Sequence, residues 1–400
     1  MDAKLAVTFA GVRFRNPVVV ASTDIGRLPA RFEDFVRAGV GGIITKSVTD
    51  AAALQQAKIA MFDIRDMDGR PVRGRVPDQY RFFSRGGSMI SMEEFRPHAR
   101  EELEIARRWG AVPIASISAS RTEHWVAYAR EFAAMGYPML ELNFGNPHGE
   151  AAKGKLGFLI AQSAELCVDI ATQVIRAVDI PVVVKLTPQV ADLAGLTRTL
   201  EEAGVRAVTI THRFQGLVLD PETGAPVLGG FAAIGGPWMK PLTLASIAKV
   251  RRATGLEIMG SNGADSAQDV LDYLYAGSGL VQIGSSMMLR GPEYARALLA
   301  ELEGLVAARG GSVEELIGRA ARQIVTYQDL GQLPARRAVY DPAICARCPD
   351  KPCVQRCYFG ALSDSGGVLR HDEDFCSGCG MCQHICPHAA VEIEPLGPQS

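Results

Sequence analysis

The sequence predicts an α/β fold, in which a (β/α)8 barrel over residues 1–300 precedes a helical linker over 301–342 and a small α+β domain over 343–395. Three observations lead to this prediction. Eight short β-branched apolar runs occur in the barrel region, longer amphipathic stretches separate them, and eight of the nine cysteines fall within 345–386. The composition, with 48% hydrophobic and 22% charged residues, is that of a globular chain and excludes a disordered or fibrous one.

Continuous apolar runs that alternate with helical patterns are typical of parallel strands buried on both faces. Eight of them are the number that a (β/α)8 barrel requires. The predicted strands are Val18–Ser22, Gly42–Lys46, Val112–Ser116, Met139–Asn143, Val182–Leu186, Ala207–Thr211, Glu257–Ser261 and Leu280–Gly284. The predicted helices are Arg31–Ala38, Glu94–Trp109, His124–Met135, Ser163–Val178, Asp192–Ala203, Leu242–Thr254, Ser266–Ala276, Tyr294–Arg309 and Val313–Leu330, with Gly331–Pro342 as linker.

Two connections are too long to be plain turns of a barrel. Val48–Ser91 is rich in Gly, Pro and Arg, and Phe214–Lys240 is rich in Gly. Each follows a predicted strand, so both are expected as elaborated loops on the C-terminal face, where barrel enzymes place their active sites.

The cysteine-rich segment contains two closely spaced runs. They are Cys345-x2-Cys348-x4-Cys353-x3-Cys357 and Cys376-x2-Cys379-x2-Cys382-x3-Cys386-Pro387. The second has the spacing and the proline of bacterial ferredoxins, whereas the first has a longer middle spacing and Tyr358 in place of the proline. We therefore expect two [4Fe–4S] clusters in a ferredoxin-like domain, with zinc sites or disulfides as the alternatives. Cys167 stands apart in a helical pattern and is expected to be a buried structural thiol.

In two-cluster ferredoxins the fourth cysteine of each run ligates the other cluster. The pattern therefore predicts two mixed ligand sets. One set is Cys345, Cys348, Cys353 and Cys386, and the other is Cys376, Cys379, Cys382 and Cys357. Gly378 and Gly380 would let backbone N–H groups approach the sulfurs.

Short motifs mark the ends of the predicted barrel strands. They are Gly11-x4-Asn16-Pro17 before Ala21-Ser22, Thr45-Lys46-Ser47, Ala115-Ser116-Ile117, Glu141-Leu142-Asn143 before Pro147-His148-Gly149, and Val184-Lys185-Leu186-Thr187-Pro188. In order and spacing these motifs resemble the flavin barrel of the dihydroorotate dehydrogenases. With the cysteine segment behind the barrel, nearly the whole chain resembles the pyrimidine-reducing half of dihydropyrimidine dehydrogenase.

The resemblance implies bound FMN. Barrels bind phosphate with the loops after strands 7 and 8, and Lys185 and Lys46 would lie near the flavin pyrimidine edge. Ordinary tight turns, and lysines that pair with carboxylates, are the alternatives. The expected cofactor-binding residues are Ala21, Ser22, Lys46, Ser116, Asn143, Lys185, Thr211, Gly235, Gly236, Ser261, Asn262, Gly263, Gly284 and Ser285.

The chain departs from this family where the substrate would react. The family has Asn-x-Ser-Cys-Pro after strand 4, with the cysteine as acid/base, whereas this chain has Asn143-Phe144-Gly145-Asn146-Pro147. An amide cannot exchange protons as a thiol does, so Asn146 argues against uracil as substrate. Asn143 is kept, but His212 replaces the family's asparagine after strand 6, and Ser91 loosely aligns with another.

The candidate catalytic residues are therefore His212, Asn146, Asn143 and His148, and three explanations stay open. In the first explanation, the substrate is a different small cyclic or enone-like molecule with a C=C bond, and His212 or His148 is the general acid. In the second explanation, the hydride acceptor is a strongly polarised unsaturation whose proton comes from water or Tyr80. In the third, the barrel has lost redox chemistry on a small molecule and only relays electrons. We favour the first, with His212 expected to titrate near neutral pH. Dihydropyrimidine dehydrogenase with an altered proton donor is the alternative enzyme.

Several arginines are candidates for binding a carboxylate or phosphate of the substrate, although surface arginines in water are the simpler explanation for most of them. They are Arg213, Arg121, Arg65, Arg70, Arg73, Arg75, Arg81 and Arg85.

The remaining features concern partners and location. The formal net charge of −2 gives no sign of nucleic-acid binding, and no targeting segment or apolar run long enough for a membrane span is visible. A cytoplasmic location follows as an expectation. No G-x-G-x-x-G fingerprint follows a strand, so a partner subunit with FAD that oxidises NAD(P)H, or a ferredoxin, would supply electrons. A homodimer is expected from the resemblance alone.

Overall fold

A computed structural model describes residues 4–55, 59–86, 88–148, 156–309 and 311–396. Its contacts divide the chain into two compact units, Met1–Gln323 and Ile324–Ser400. The sequence-predicted boundaries, at 300 and 342, lie on either side of this division. No helix in the described part of the chain is long and apolar enough to span a membrane.

The first unit contains a closed parallel barrel of eight strands. They are β3 (Val18–Val20), β4 (Gly42–Ile44), β7 (Val112–Ile117), β8 (Leu140–Asn143), β9 (Val182–Lys185), β10 (Ala207–Ile210), β13 (Glu257–Ser261) and β14 (Leu280–Ile283). Each lies within or overlaps a predicted run, so the predicted (β/α)8 fold is confirmed. A hairpin of β1 (Val7–Phe9) and β2 (Val12–Phe14) precedes the barrel.

The helices of this unit follow the strands in alternation. They are α1 (Pro29–Ala38), α2 (Met92–Trp109), α3 (Thr122–Met135), α4 (Ala164–Ile175), α5 (Leu193–Glu202), α6 (Lys240–Ala253), α7 (Ala267–Ala276), α8 (Ser285–Ala308) and α9 (Val313–Leu316). Helix α8 begins well before the predicted Tyr294, because its first turn follows β14 directly and the chain bends at Gly291, whose φ is +80°. The predicted long helix Val313–Leu330 is wrong, since α9 stops at Ile317, which has extended backbone.

The two long insertions fold together, which their sequences do not indicate. Strands β5 (Phe62–Arg65) and β6 (Arg81–Ser84) come from the first insertion, and β11 (Phe214–Gly216) and β12 (Ala232–Gly235) come from the second. They form one antiparallel sheet in the order β11-β12-β6-β5. The pairing of β12 with β6 connects parts of the chain about 150 residues apart. The segments predicted as loops are therefore partly ordered as a sheet.

The second unit is the small α+β domain. It consists of β15 (Arg336–Tyr340), α10 (Pro342–Cys345), α11 (Pro352–Gln355), β16 (Leu362–Ser365), β17 (Val368–His371), α12 (Met381–Ile385) and β18 (Val391–Pro395). Strand β15 pairs with β18, and β16 pairs with β17, both antiparallel. The predicted linker Gly331–Pro342 is therefore wrong over β15, whose partner lies some 50 residues further along the chain.

Candidate active site and iron–sulfur sites

A cavity of about 1080 Å³, including space open to solvent, lies at the C-terminal ends of the barrel strands. Most of the predicted site residues line it. These are Ala21, Ser22, Lys46, Asn143, Asn146, His148, Lys185, Thr211, His212, Gly236, Ser261, Asn262, Gly263, Gly284 and Ser285. Ser116 and Gly235 are not among the lining residues. The Ser116 hydroxyl lies behind the wall, 2.8 Å from the Ser47 hydroxyl.

Lys185 lies at the end of β9 in a buried polar network. Its Nζ donates a hydrogen bond to Gln282 Oε1 at 2.6 Å and lies 3.5 Å from Glu141 Oε1. Thr209 donates to the other oxygen of Glu141 at 2.8 Å. Burial lowers the pKa of Lys185, and Glu141 opposes that shift. The ammonium group is thus fixed in position while still lining the cavity.

Lys46, at the end of β4, is held by two partners that the sequence analysis missed. Its Nζ donates to Ser88 Oγ at 2.7 Å and forms an ion pair of 3.1 Å with Asp24. Burial lowers the pKa of Lys46, and Asp24 opposes the shift. All three residues line the cavity. Ser88 belongs to the first long insertion, where no strand end or motif marks it.

The loops after β13 and β14, where the sequence predicts a phosphate site, combine positive φ values with an uncapped helix start. Asn262 and Gly263 have φ values of +81° and +105°. A Cβ at Gly263 would lie 2.5 Å from the backbone N of Lys240, so only glycine fits there. The first turn of α8 starts at Ser285 with no side-chain cap, so its first N–H groups are available to bind an anion.

Tyr80, which the sequence left open as a proton source, is not among the residues that line the cavity. Its side chain is fully buried, and its hydroxyl lies 3.2 Å from Asp265 and 3.1 Å from Ser286. Burial, reinforced by the Asp265 charge, raises the pKa of Tyr80 to about 12. Asp265 is in turn ion-paired with Arg290 at 3.0 Å. This network connects the first insertion to the start of α8.

His212 does not titrate near neutral pH, contrary to the prediction. Desolvation by the surrounding protein, with the charges of Lys185 and Arg213, lowers its pKa well below the usual range. The backbone N–H of Arg213 donates to His212 Nδ1 at 2.8 Å, so the neutral ring carries its hydrogen on Nε2. His212 can therefore donate a hydrogen bond into the cavity, but it is not an imidazolium acid.

The loop after β8 brings Asn146 and His148 to the same wall. Asn146 Oδ1 accepts the backbone N–H of His148 at 3.2 Å, whereas its buried Nδ2 has no partner among the described residues. Burial, with the charges of Arg213 and Arg85, lowers the pKa of His148 to about 4. His148 is thus neutral as well. Gly145 packs closely, because a Cβ there would lie 2.5 Å from His212 Cβ.

Of the candidate arginines, Arg213 and Arg85 line the cavity. Arg213 Nη1 donates to Ser84 Oγ at 2.6 Å and its guanidinium lies 5.9 Å from the Phe82 ring centre, but no described carboxylate lies within 4 Å of it. Burial lowers the pKa of Arg213 to about 10, so it stays charged at neutral pH. The others lie on the surface or pair elsewhere, for example Arg65 with Asp63 at 2.7 Å and Arg70 with Asp68 at 3.1 Å.

In the second unit the eight cysteines surround two separate cavities. Cys345, Cys348, Cys353 and Cys386 line one of about 330 Å³, and Cys357, Cys376, Cys379 and Cys382 line another of about 360 Å³. These are the two predicted mixed sets. Among the described residues no three His, Cys, Asp or Glu side chains converge closely enough for a single metal ion, and none of the cysteines forms a disulfide. The cavities therefore fit cubane clusters better than zinc ions.

Cys167 is fully buried in α4, and its Sγ lies 3.4 Å from the backbone oxygen of Ile160. Burial raises its pKa to about 12, so the thiol is inert. The prediction of a buried structural thiol is confirmed.

Comparison with known proteins agrees with this geometry. Residues 4–306 match the dihydroorotate dehydrogenase family, and residues 369–392 match the 4Fe-4S binding domain. Relatives include the catalytic subunits of dihydroorotate dehydrogenase B (NAD(+)) from Methanothermobacter thermautotrophicus, 30% identical over 79% of this chain and 98% of the relative, and from Geobacillus kaustophilus, 29% identical over 79% and 96%. That of Thermoplasma acidophilum is 26% identical over 80% of this chain and all of the relative. About a fifth of this chain extends beyond the matched part.

The barrel, the cavity at its C-terminal face and the cysteine-rich unit thus match two known families in succession. The family implies FMN in the barrel and a [4Fe–4S] cluster in the second unit. The chain belongs to the dihydroorotate dehydrogenase family and is a flavin- and iron–sulfur-dependent oxidoreductase that acts on CH–CH bonds.

Proposed function

We propose that this enzyme reduces the C=C bond of a small, negatively charged cyclic or enone-like substrate other than uracil, or forms that bond by oxidising the corresponding CH–CH bond. The observation that carries the proposal is Arg213, a cation that faces the cavity with no described carboxylate within 4 Å. Arg213 is half-buried and the charge of Asp24 offsets part of its own, so an anion bound in the cavity would stabilise it further. A substrate carboxylate would supply that anion, and guanidinium binds carboxylate through two parallel hydrogen bonds.

The neutral donors on the same wall support this orientation. Asn146 Nδ2 has no described partner and lines the cavity, and His212 carries its hydrogen on Nε2. Both are donors suited to a carbonyl oxygen conjugated with the C=C bond. Asn146 would then bind substrate where the family's cysteine transfers a proton.

The residues of the FMN site fit the group that the family implies. Lys185 and Lys46 supply cations in the cavity, and the loops at Gly263 and Ser285 supply backbone donors. When bound, FMN supplies the two-electron hydride chemistry. The protein's own residues hold the substrate and move the proton.

We further propose that Ser88 delivers the proton to the second carbon of the C=C bond. Lys46 Nζ donates to Ser88 Oγ at 2.7 Å, so the serine hydrogen is free to point to substrate. An ammonium donor makes the hydroxyl more acidic, and Lys46 can replace the lost proton. Oxidation of substrate would run the same transfer in reverse.

Ser88→Ala is expected to slow reoxidation of the reduced flavin by substrate about 100-fold or more, the usual contribution of a proton donor. Anaerobic stopped-flow absorbance measures this step, and reduction of the flavin by dithionite serves as the reference step. Ser88→Thr keeps the hydroxyl and is the matched control. A Ser88→Ala rate within twofold of wild type would remove Ser88 from proton transfer.

The substrate proposal is tested by the same anaerobic reoxidation with a matched pair of probes, orotate and uracil, which differ only in the carboxylate, and with cyclohexene-1-carboxylate. At least one carboxylate probe should reoxidise the flavin, and uracil should not. Turnover of uracil would instead favour dihydropyrimidine dehydrogenase with an altered proton donor. Purified protein without FMN would favour an electron-transfer subunit whose barrel is not catalytic.

We also propose that two [4Fe–4S] clusters, held by the two cysteine sets, pass electrons to or from the flavin. The two cysteine-lined cavities support this number. Purified anaerobic protein should contain about eight iron and eight sulfide per chain and no stoichiometric zinc. A content of about four iron and four sulfide per chain would instead indicate a single cluster.

The electron partner is proposed to be a subunit that oxidises NAD(P)H with FAD, or a ferredoxin, and a homodimer is proposed from the family. The relatives are named as catalytic subunits of an NAD(+) enzyme, which supports a separate electron-transfer subunit. Steady turnover of the purified chain with NAD(P)H alone would overturn the partner proposal.

A further inference from the structure

The first cysteine run differs from the second in the four residues between Cys348 and Cys353, and that segment ends in Lys351-Pro352. Lys351 has an unusual conformation for a lysine. Its φ is +35°, in the left-handed region that side chains rarely adopt, and the residue is only 5% exposed. Lysines are seldom buried, because the ammonium group loses its hydration.

The buried side chain of Lys351 lines the cavity of Cys345, Cys348, Cys353 and Cys386. The nearest described carboxylate is Asp364, 3.6 Å from Nζ, and its side chain is 40% exposed. A cation in this position therefore faces the group that the cysteines hold and is only partly compensated.

The second cavity has no such buried cation among its described lining residues. Arg356 lines it but is exposed, so water screens its charge. The second cavity is distinguished instead by a hydrogen bond to a cysteine sulfur, which the Tyr340 hydroxyl donates to Cys382 Sγ at 3.3 Å. The two cavities thus have different electrostatic surroundings.

We propose that Lys351 raises the reduction potential of the cluster held by Cys345, Cys348, Cys353 and Cys386, relative to its potential without this cation. Lys351 is thus a positioning residue that acts on electron transfer through this cluster. The inference rests on the two proposed clusters. Reduction adds one electron to a cluster and breaks no bond, so it increases the negative charge beside the ammonium group. A nearby cation in a weakly polar interior stabilises that added charge. The electron comes from the proposed partner or, in the test, from dithionite.

The test is an anaerobic redox titration of the full-length protein with dithionite, followed by electron paramagnetic resonance of the reduced clusters. Lys351→Met should lower one potential by about 59 mV or more, which is a tenfold change in the ratio of reduced to oxidised cluster. Arg356→Met is the matched control and should move both potentials by much less. Tyr340→Phe should lower the other potential, because a hydrogen bond to sulfur is lost.

Asp364→Asn provides a second test in case the Lys351→Met protein does not assemble its clusters. Removing the partly screening carboxylate should raise the same potential that Lys351→Met lowers. The inference is overturned if Lys351→Met leaves both potentials in place or lowers both equally, or if Asp364→Asn moves neither. Iron content separates failure of this inference from failure of the two-cluster proposal. If the chain held one cluster, the wild-type protein and every variant would contain about four iron per chain.

Discussion

Replacing Arg213 by Gln should raise the KM for a carboxylate substrate about 100- to 1000-fold. The expected loss is about 3–4 kcal/mol, because a substrate carboxylate would lose its charged partner and its paired hydrogen bonds. Arg213 has Ser84 Oγ at 2.6 Å as its side-chain partner, so the guanidinium keeps donors for substrate. Steady-state kinetics with the active carboxylate probe and reduced methyl viologen measure this change.

Two variants make the Arg213 result specific. Arg213→Lys keeps the charge but loses the planar pair of donors, and should raise KM about tenfold. Arg121→Gln removes an exposed arginine that pairs with Glu123 and should leave KM unchanged. An equal loss for Arg121→Gln, or a KM for Arg213→Gln within threefold of wild type, would contradict an anionic substrate held by Arg213.

Replacing Glu102 by Gln should raise the free energy of unfolding of the barrel by about 3 kcal/mol at alkaline pH and change that free energy little at pH 5. Glu102 is fully buried in α2, accepts a 2.9 Å hydrogen bond from Tyr137, and has no described partner at Oε1. Burial raises the pKa of Glu102 from 4.5 to about 8, with Tyr137 partly opposing the shift. Its ionisation therefore favours the unfolded chain.

The sign of the pH dependence follows from this raised pKa. Below pH 4.5 the carboxyl is protonated in both states and costs the fold nothing. As pH rises toward about 8 the unfolded chain releases the proton while the folded chain keeps it, so wild-type stability falls. The pKa shift from 4.5 to about 8 corresponds to a loss of at most about 5 kcal/mol in the free energy of unfolding. A buried glutamine amide at this position would recover part of that loss.

Urea unfolding at pH 5, 7 and 9 tests the prediction. All three tryptophans, Trp109, Trp125 and Trp238, lie in the first unit, so their fluorescence follows the barrel. Glu303→Gln, at an exposed position in α8, is the matched control and should keep the wild-type pH dependence. If Glu102→Gln loses stability with pH as steeply as wild type, Glu102 does not carry the effect.

Local patterns in the sequence determined the barrel and the ends of its strands. Buried parallel strands need continuous apolar runs, so the strand containing Lys185 or Ser261 is visible in the chain. Because strand ends meet on one face, the residues after each run converge there. The cysteine sets were also determined locally, since spacing within each run and the exchange of the fourth ligand leave little freedom.

The tertiary structure alone decided which polar groups act in the cavity and in what protonation state. Ser88 meets Lys46 across 42 residues, and Arg213 meets Ser84 across 129, through a sheet formed from two separate insertions. His212 is neutral because surrounding protein and nearby cations disfavour its charged form, and Lys351 is buried by a backbone conformation that spacing does not indicate. Desolvation and charge depend on neighbours from distant parts of the chain, whereas periodicity and spacing are local.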